Sequence, residues 1–486
     1  MMRRLILSAL MGAALCCCAC SVPQTDVTVV DGLPPICPDY AGVTVPANIA
    51  AMNFAYTGEG RASLTINDGI KVRADRKGVF RLKERVWKGL LGRCDTLNMR
   101  ISAVLDGQRI DYRAFEIYVA PEPIDPYISY RLIPPGYQGW RDMGIYQRCL
   151  ENYRQTVIHS NSTSGKNCVN CHTYCNRDPS RMLFHARADF GGTMFLEPGQ
   201  SLKLDTMTDS TVSALVYPYW HPGGRYVAFS VNRTLQTFFA HNADRVEVFD
   251  SESDVVVLDT ETMSISWSAA TKDAGRCETF PTFSPDGEWL YFSSAPLPEK
   301  MPRDFDKVRY DIARTSFDPA TGAIGDTPET VLDCSSKGLS ASFPRISPDG
   351  RRLLFTAHKY GNFSIWHKDA ELWMVDLESG EAGPVEEWNS PEVESWHCWS
   401  SNGRWVVFSS RRDDGLYTRP YIGYIDPQGV ARKPFLLPQK DPQRYYRNLM
   451  YSYNLPEFTS GPVEISRRRI NRTMRGEGVK IGVEGE

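Results

Sequence analysis

The 486-residue chain is short of several features that usually announce a function. It has no excess of either charge: 55 Lys and Arg stand against 58 Asp and Glu, a net charge of −3. Nucleic-acid binding normally leaves a basic footprint, so no nucleic acid is expected as a partner. Beyond residue 20 it has no long apolar run, and crossing a bilayer takes about 20 apolar residues. Its 8 His residues form no H-E-x-x-H pattern, and neither a Ser-His-Asp order nor a phosphate-cradling Gly-rich loop is present. Nothing here supports an enzyme. Sustained helical periodicity is scarce too, while 37 Gly, 32 Pro and 55 aromatic residues are plentiful, which points to a turn-rich, all-β protein.

The first twenty residues read as an address. Met1-Met2-Arg3-Arg4, an apolar stretch from Leu5 to Leu15 and the run Cys16-Cys17-Cys18-Ala19-Cys20 describe a basic start, a short apolar core and small residues before a break. The stretch resembles the signal of bacterial lipoproteins, in which a cysteine at the cleavage point is acylated. Cys20 fits best, since Ala19 precedes it and a polar tether (Ser21 to Gln24) follows; Cys16 is the competing position. The resemblance implies a lipid anchor and a place in the bacterial cell envelope, on the outer membrane facing the periplasm. Two acyl chains would anchor stably where one would not.

Residues 27–126 contain short strand-like runs, a hairpin signal at Asp106-Gly107 and one helical stretch, Leu82 to Leu91. They are expected to form a β-sandwich-like domain, ended by Pro121-Glu122-Pro123. Residues 127–180 read as a linker, extended at Ser129 to Gly136 and helical at Gly144 to Val157. Residues 181–465 repeat. Trp220-His221-Pro222-Gly223-Gly224, Phe283-Ser284-Pro285-Asp286-Gly287, Ile346-Ser347-Pro348-Asp349-Gly350 and Trp399-Ser400-Ser401-Asn402-Gly403 each lead into an apolar strand, and their final glycines are 63, 63 and 53 residues apart. Pro sets φ, Asp caps the turn and Gly takes positive φ. The strand that follows is apolar at nearly every position, so both its faces must be covered.

These repeats resemble the TolB-type, WD40-like β-propeller unit. The resemblance implies a C-terminal β-propeller behind the sandwich-like domain, with five blades, or six if residues 441–465 complete another. The Arg-rich residues 466–486 are expected to be a solvated tail.

One motif carries chemistry. Cys168-Val169-Asn170-Cys171-His172 is C-x-x-C-H, the attachment pattern of c-type haem: two thiols spaced for two vinyl groups, with an adjacent imidazole for the iron. One covalent haem c is therefore expected, held by Cys168 and Cys171 and ligated by His172. His185, thirteen residues on, is the first candidate for the sixth ligand, with Met194 and then Met182 behind it. Three alternatives stay open. Cys175 extends the run to a Cys3His set suited to zinc, an iron–sulfur cluster would need a further thiolate, and Cys168 could simply bond Cys171. His221 and His397 read as packing between repeats.

Taken together, the chain resembles the TolB-like lipoproteins of Bacteroidetes type that carry a single C-x-x-C-H ahead of the repeats. The function expected is electron transfer or redox-partner docking by a cytochrome-like envelope protein. The alternative is a non-enzymatic binding or assembly scaffold with a structural metal or disulfide at the cysteines.

Overall fold

The structure is a computed structural model in which residues 27–134, 142–239 and 246–485 are described. The signal stretch, with Cys16 and Cys20, lies outside the described residues. The all-β expectation holds: strands dominate, and the α-helices among the described residues are Glu84–Leu91, Pro442–Asn448 and Arg467–Arg475.

The N-terminal region builds a seven-stranded sheet around the long strand Thr96–Leu105 and a smaller sheet of Ile36–Cys37, Phe54–Tyr56 and Val79–Phe80. Alternating burial along Arg61–Ile66 and Thr96–Leu105 shows one wet and one packed face, as expected of an antiparallel sheet half in solvent. Helix Glu84–Leu91 closes that core through Trp87, Leu90 and Leu91, and the Trp87 indole donates to the Ile49 carbonyl at 3.1 Å. The core does not stop at the domain edge. One apolar cluster runs from Phe54, Trp87 and Ile101 into Trp388, Trp405 and Phe408 of the repeats.

The repeats form six antiparallel sheets. Each has an inner strand: Val169–Tyr174, Val216–Trp220, Arg276–Phe283, Ser340–Ile346, Glu394–Trp399 and Ser452–Thr459. Successive inner strands touch, and the sixth touches the first. The sixth sheet joins Ser452–Thr459 to Tyr127–Ile133, Gly144–Cys149 and Gln155–Ser160. Residues expected as a linker, with a helix at Gly144 to Val157, are thus three strands. Their partner lies more than 300 positions away, so no local pattern could reveal it.

The tail also differs from expectation. Helix Arg467–Arg475 buries Ile470 and Met474, and the Arg469 guanidinium donates to the Glu197 carbonyl. Val479–Lys480 and Gly482–Val483 then add parallel to the outer strands Gln200–Asp205 and Ser264–Ser266. An unpaired sheet edge is a template for wrong pairing, and here the tail covers two of them.

The repeat turns form as the residues require. Gly224, Gly287, Gly350 and Gly403 have φ of +74°, +80°, +74° and +66°, and Ser347 Oγ donates to Asp349 Oδ1 at 2.5 Å. His221 packs between sheets as expected: its Nε2 donates to the Gly287 carbonyl at 3.1 Å, and its ring lies edge-on to Phe283. A Cβ on Gly287 would overlap that ring, whereas one on Gly350 would meet nothing within 4 Å. We therefore expect Gly350→Ala to cost about 1 kcal/mol from backbone strain alone and Gly287→Ala about 3 kcal/mol or more. Chemical denaturation of the two variants checks this; equal losses would contradict it.

Candidate functional site

Every inner strand is broken at the same place. Cys171, Tyr217, Phe280, Phe343, Trp396 and Leu455 have φ between +48° and +56°, and the strand register slips at each of them. Such a bulge inserts extra residues, bends the strand and re-aims the side chains that follow. The next residue is Pro218, Pro281, Pro344 or Pro456 in four strands and His172 or His397 in the other two. Proline has no N–H to lose from the ladder, which suits a bulge. Cys171-His172, half of the C-x-x-C-H motif, is therefore also the first of six bulge pairs.

The first residues of these pairs converge. Ring centroids are 4.9 Å apart for Tyr217 and Phe280, 3.9 Å for Phe280 and Phe343, and 4.1 Å for Phe343 and Trp396. Leu455 packs against the same cluster. Beside this aromatic layer lies a cavity of about 140 Å³ that opens to solvent, lined from five of the six inner strands. The residue after each bulge pair faces it: Thr173, Tyr219, Arg345, Cys398 and Glu457.

The charges in this cavity are unusual. Arg345 and Glu457 sit deep in the protein, yet both touch open space because they line the cavity. Glu457 Oε1 accepts from Thr173 Oγ1 at 3.0 Å and from the Tyr174 amide at 3.1 Å. Burial pushes its carboxyl up to about 7 against those two hydrogen bonds. Arg345 donates to the Pro344 carbonyl at 2.8 Å, and its guanidinium lies 4.9 Å over the Tyr219 ring. No ion pair joins the two. Cys398 is pushed up to about 12 by burial and stays a thiol. His397 donates to the Leu354 carbonyl at 3.0 Å and is held neutral by burial, at about 3. It lines the cavity and is more than packing between repeats.

The motif's own residues separate. His172 lines the cavity, and neither of its ring nitrogens has a hydrogen-bond partner of acceptable geometry. Burial and the Arg131 charge hold it at about 3, against a weaker pull from the Ser129 backbone. Cys171 lines the same cavity, and burial raises its thiol. Cys168 does not line it; it packs on the apolar cluster between the sixth and first sheets, where Met182 and Met194 are also buried. His185 is one residue out of phase with that face, and its Nδ1 bonds Thr193 Oγ1 at 3.1 Å. Cys175 belongs to a third cluster, between the first and second sheets, and contacts Arg181.

The fit to a haem group can be judged on these positions. A porphyrin bound through both thiols needs Cys168, Cys171 and His172 on one crevice, with His185 or Met194 opposite. The chain places these side chains in three environments, beside a cavity smaller than the roughly 300–1,000 Å³ usual for small-molecule sites. As placed, the residues do not fit the group. All nine described cysteines are free, and among the described residues no set of three or more His, Cys, Asp or Glu converges to hold a metal ion.

No family model matches the chain and no curated protein matches it. Solved structures do. A prolyl endopeptidase structure is 12% identical, covering 66% of this chain and 50% of its own, with a TM-score of 0.35. A putative dipeptidyl aminopeptidase IV from Bacteroides ovatus is 11% identical over 71% of this chain and 59% of its own, at 0.28. Prolyl oligopeptidase B from Galerina marginata is 12% identical over 60% and 41%, at 0.36. The chain thus spans 41–59% of these proteins' lengths, and at these scores the likeness carries no functional argument.

The raised Glu457 carboxyl makes a pH prediction. The folded state holds this proton between about pH 4.5 and 7 while the unfolded chain releases it, so its contribution is full below pH 4.5 and lost as pH rises through 7. Glu457→Gln keeps an acceptor for Thr173 and Tyr174 without the charge. Its stability relative to the unsubstituted protein should therefore rise by about 2 kcal/mol between pH 5 and 8 in urea denaturation. A flat difference would contradict the assignment.

Proposed function

We propose that the six sheets are the blades of one closed propeller, and that its central cavity is a receptor site for a small polar ligand. On this reading the chain is an exported, non-enzymatic binding module of the bacterial cell envelope, anchored through Cys20 to the outer membrane and working with an envelope partner. One observation carries it. Five inner strands bend at a shared bulge and bring a guanidinium, a carboxyl, a thiol and a phenol ring to one solvent-open space, where the guanidinium and the carboxyl form no direct ion pair. Unpaired buried charge is costly, so a site that keeps it is a candidate for a ligand that completes it.

A second reading is covalent haem at Cys168 and Cys171 with His172 on the iron and electron transfer as the role. It is favoured by the two unpartnered nitrogens of the buried His172, since such atoms call for an explanation. It requires Cys168 to turn out of its apolar cluster.

Two measurements test these readings. In thermal denaturation, a panel of amino acids, short carboxylates and amines at millimolar concentration should include a compound that raises Tm by about 2 °C or more. That shift should vanish in Cys398→Phe, which fills the cavity; a panel with no effect, or equal effects on both proteins, counts against the receptor. A pyridine haemochrome spectrum of protein produced with haem-attachment machinery decides the second reading. A chromophore that survives denaturation supports it, and colourless protein with both thiols open to alkylation removes it.

A further inference from the structure

The chemistry of the cavity narrows what it holds. Arg345 brings a permanent cation that pairs with no carboxylate within 4.0 Å; one of its guanidinium nitrogens donates to the Pro344 carbonyl at 2.8 Å and, weakly, to the Pro281 carbonyl at 3.5 Å. The planar fork of a guanidinium is built for two parallel hydrogen bonds to a carboxylate. Glu457 stands on another inner strand, both of its hydrogen bonds use Oε1, and no cation lies within 4.0 Å of it, although the Arg345 and Arg177 charges favour its ionised form. The remaining charged group on the cavity, Arg177, is engaged with the carbonyls of Trp399 and Ser400. Arg345 and Glu457 stand on different inner strands and line the same cavity; each favours the charged form of the other, yet they form no direct ion pair. What completes this arrangement carries a negative end for Arg345 and a positive or donor-rich end for Glu457.

Size bounds it further. A cavity of about 150 Å³ accommodates a six-atom ring such as benzene, so about 140 Å³ takes a ligand of five or six heavy atoms. Resting on the receptor reading above, we propose that the central cavity binds a small zwitterion, an α-amino acid of glycine or alanine size, with its carboxylate on Arg345 and its ammonium on Glu457. Tyr219, stacked under the guanidinium, holds the fork in place. Phe343 and Trp396, packed on each other, form part of the cavity wall and limit side-chain length.

Isothermal titration of the full exported chain with glycine, acetate and methylammonium at pH 8 tests this. Glycine should bind at least about 10-fold more tightly than either single-charge probe, because charged hydrogen bonds at both ends contribute. Arg345→Met should weaken glycine by about 10- to 100-fold, and Arg345→Lys, which keeps the charge but loses the fork, should fall between. Glu457→Gln should weaken glycine about 10-fold and leave acetate within about twofold. Circular dichroism establishes that each variant is folded. Equal binding of glycine and acetate, both abolished by Arg345→Met, would overturn the zwitterion and leave an anion receptor standing. Silence from all three probes with folded wild-type protein would overturn the zwitterion, and the receptor reading would fall with it only if the wider thermal panel were silent too.

Discussion

The left-handed bulge shared by the six inner strands is the constraint on which the rest of the structure depends. A straight strand would point alternate residues into the neighbouring sheets and leave nothing aimed at the centre. By inserting a residue at φ near +50°, five of the strands turn a side chain into a common apolar layer, and five turn the residue two positions later onto the cavity. A bulky side chain at positive φ is strained by about 1–2 kcal/mol. Ring contacts of 3.9–4.9 Å among Tyr217, Phe280, Phe343 and Trp396 offset that strain, since buried aromatic pairs stabilise beyond their area.

That constraint also recasts the cysteine motif. Cys171 and His172 occupy the positions that Tyr217-Pro218, Phe280-Pro281, Phe343-Pro344, Trp396-His397 and Leu455-Pro456 occupy in the other strands. A small residue at the first position keeps that side of the aromatic layer open, and an imidazole at the second sets a polar ring on the cavity wall. Part of the spacing that looks like a haem signature is therefore also what the repeat places there. Cys168, three residues earlier, belongs to the apolar packing between two sheets. Whatever the motif binds, its second half is part of the central site.

Much of the fold was legible in the chain because its turns are local. Ser-Pro-Asp-Gly and its variants mark the start of an apolar strand, and Gly224, Gly287, Gly350 and Gly403 take the positive φ their positions require. The helix at Glu84–Leu91 falls inside the expected Leu82 to Leu91. The sixth sheet was illegible because Tyr127–Ile133 pairs with Ser452–Thr459, and the short tail strands because only a neighbouring edge makes them strands. The site was half legible. An aromatic-proline pair seven residues before the turn glycine recurs at Tyr217-Pro218, Phe280-Pro281 and Phe343-Pro344, and that signal points to the bulges. Arg345 and Glu457, by contrast, look like ordinary surface charges until the strands are bent together.

The most direct measurement of the central claim is a crystal structure of the protein grown with and without glycine, at a resolution that shows ordered water. The account predicts six bulged inner strands, Arg345 and Glu457 held apart in the free protein, and one compact ligand bridging them when glycine is present. A direct Arg345–Glu457 ion pair across a collapsed cavity, or a porphyrin bonded to Cys168 and Cys171 in its place, would contradict it.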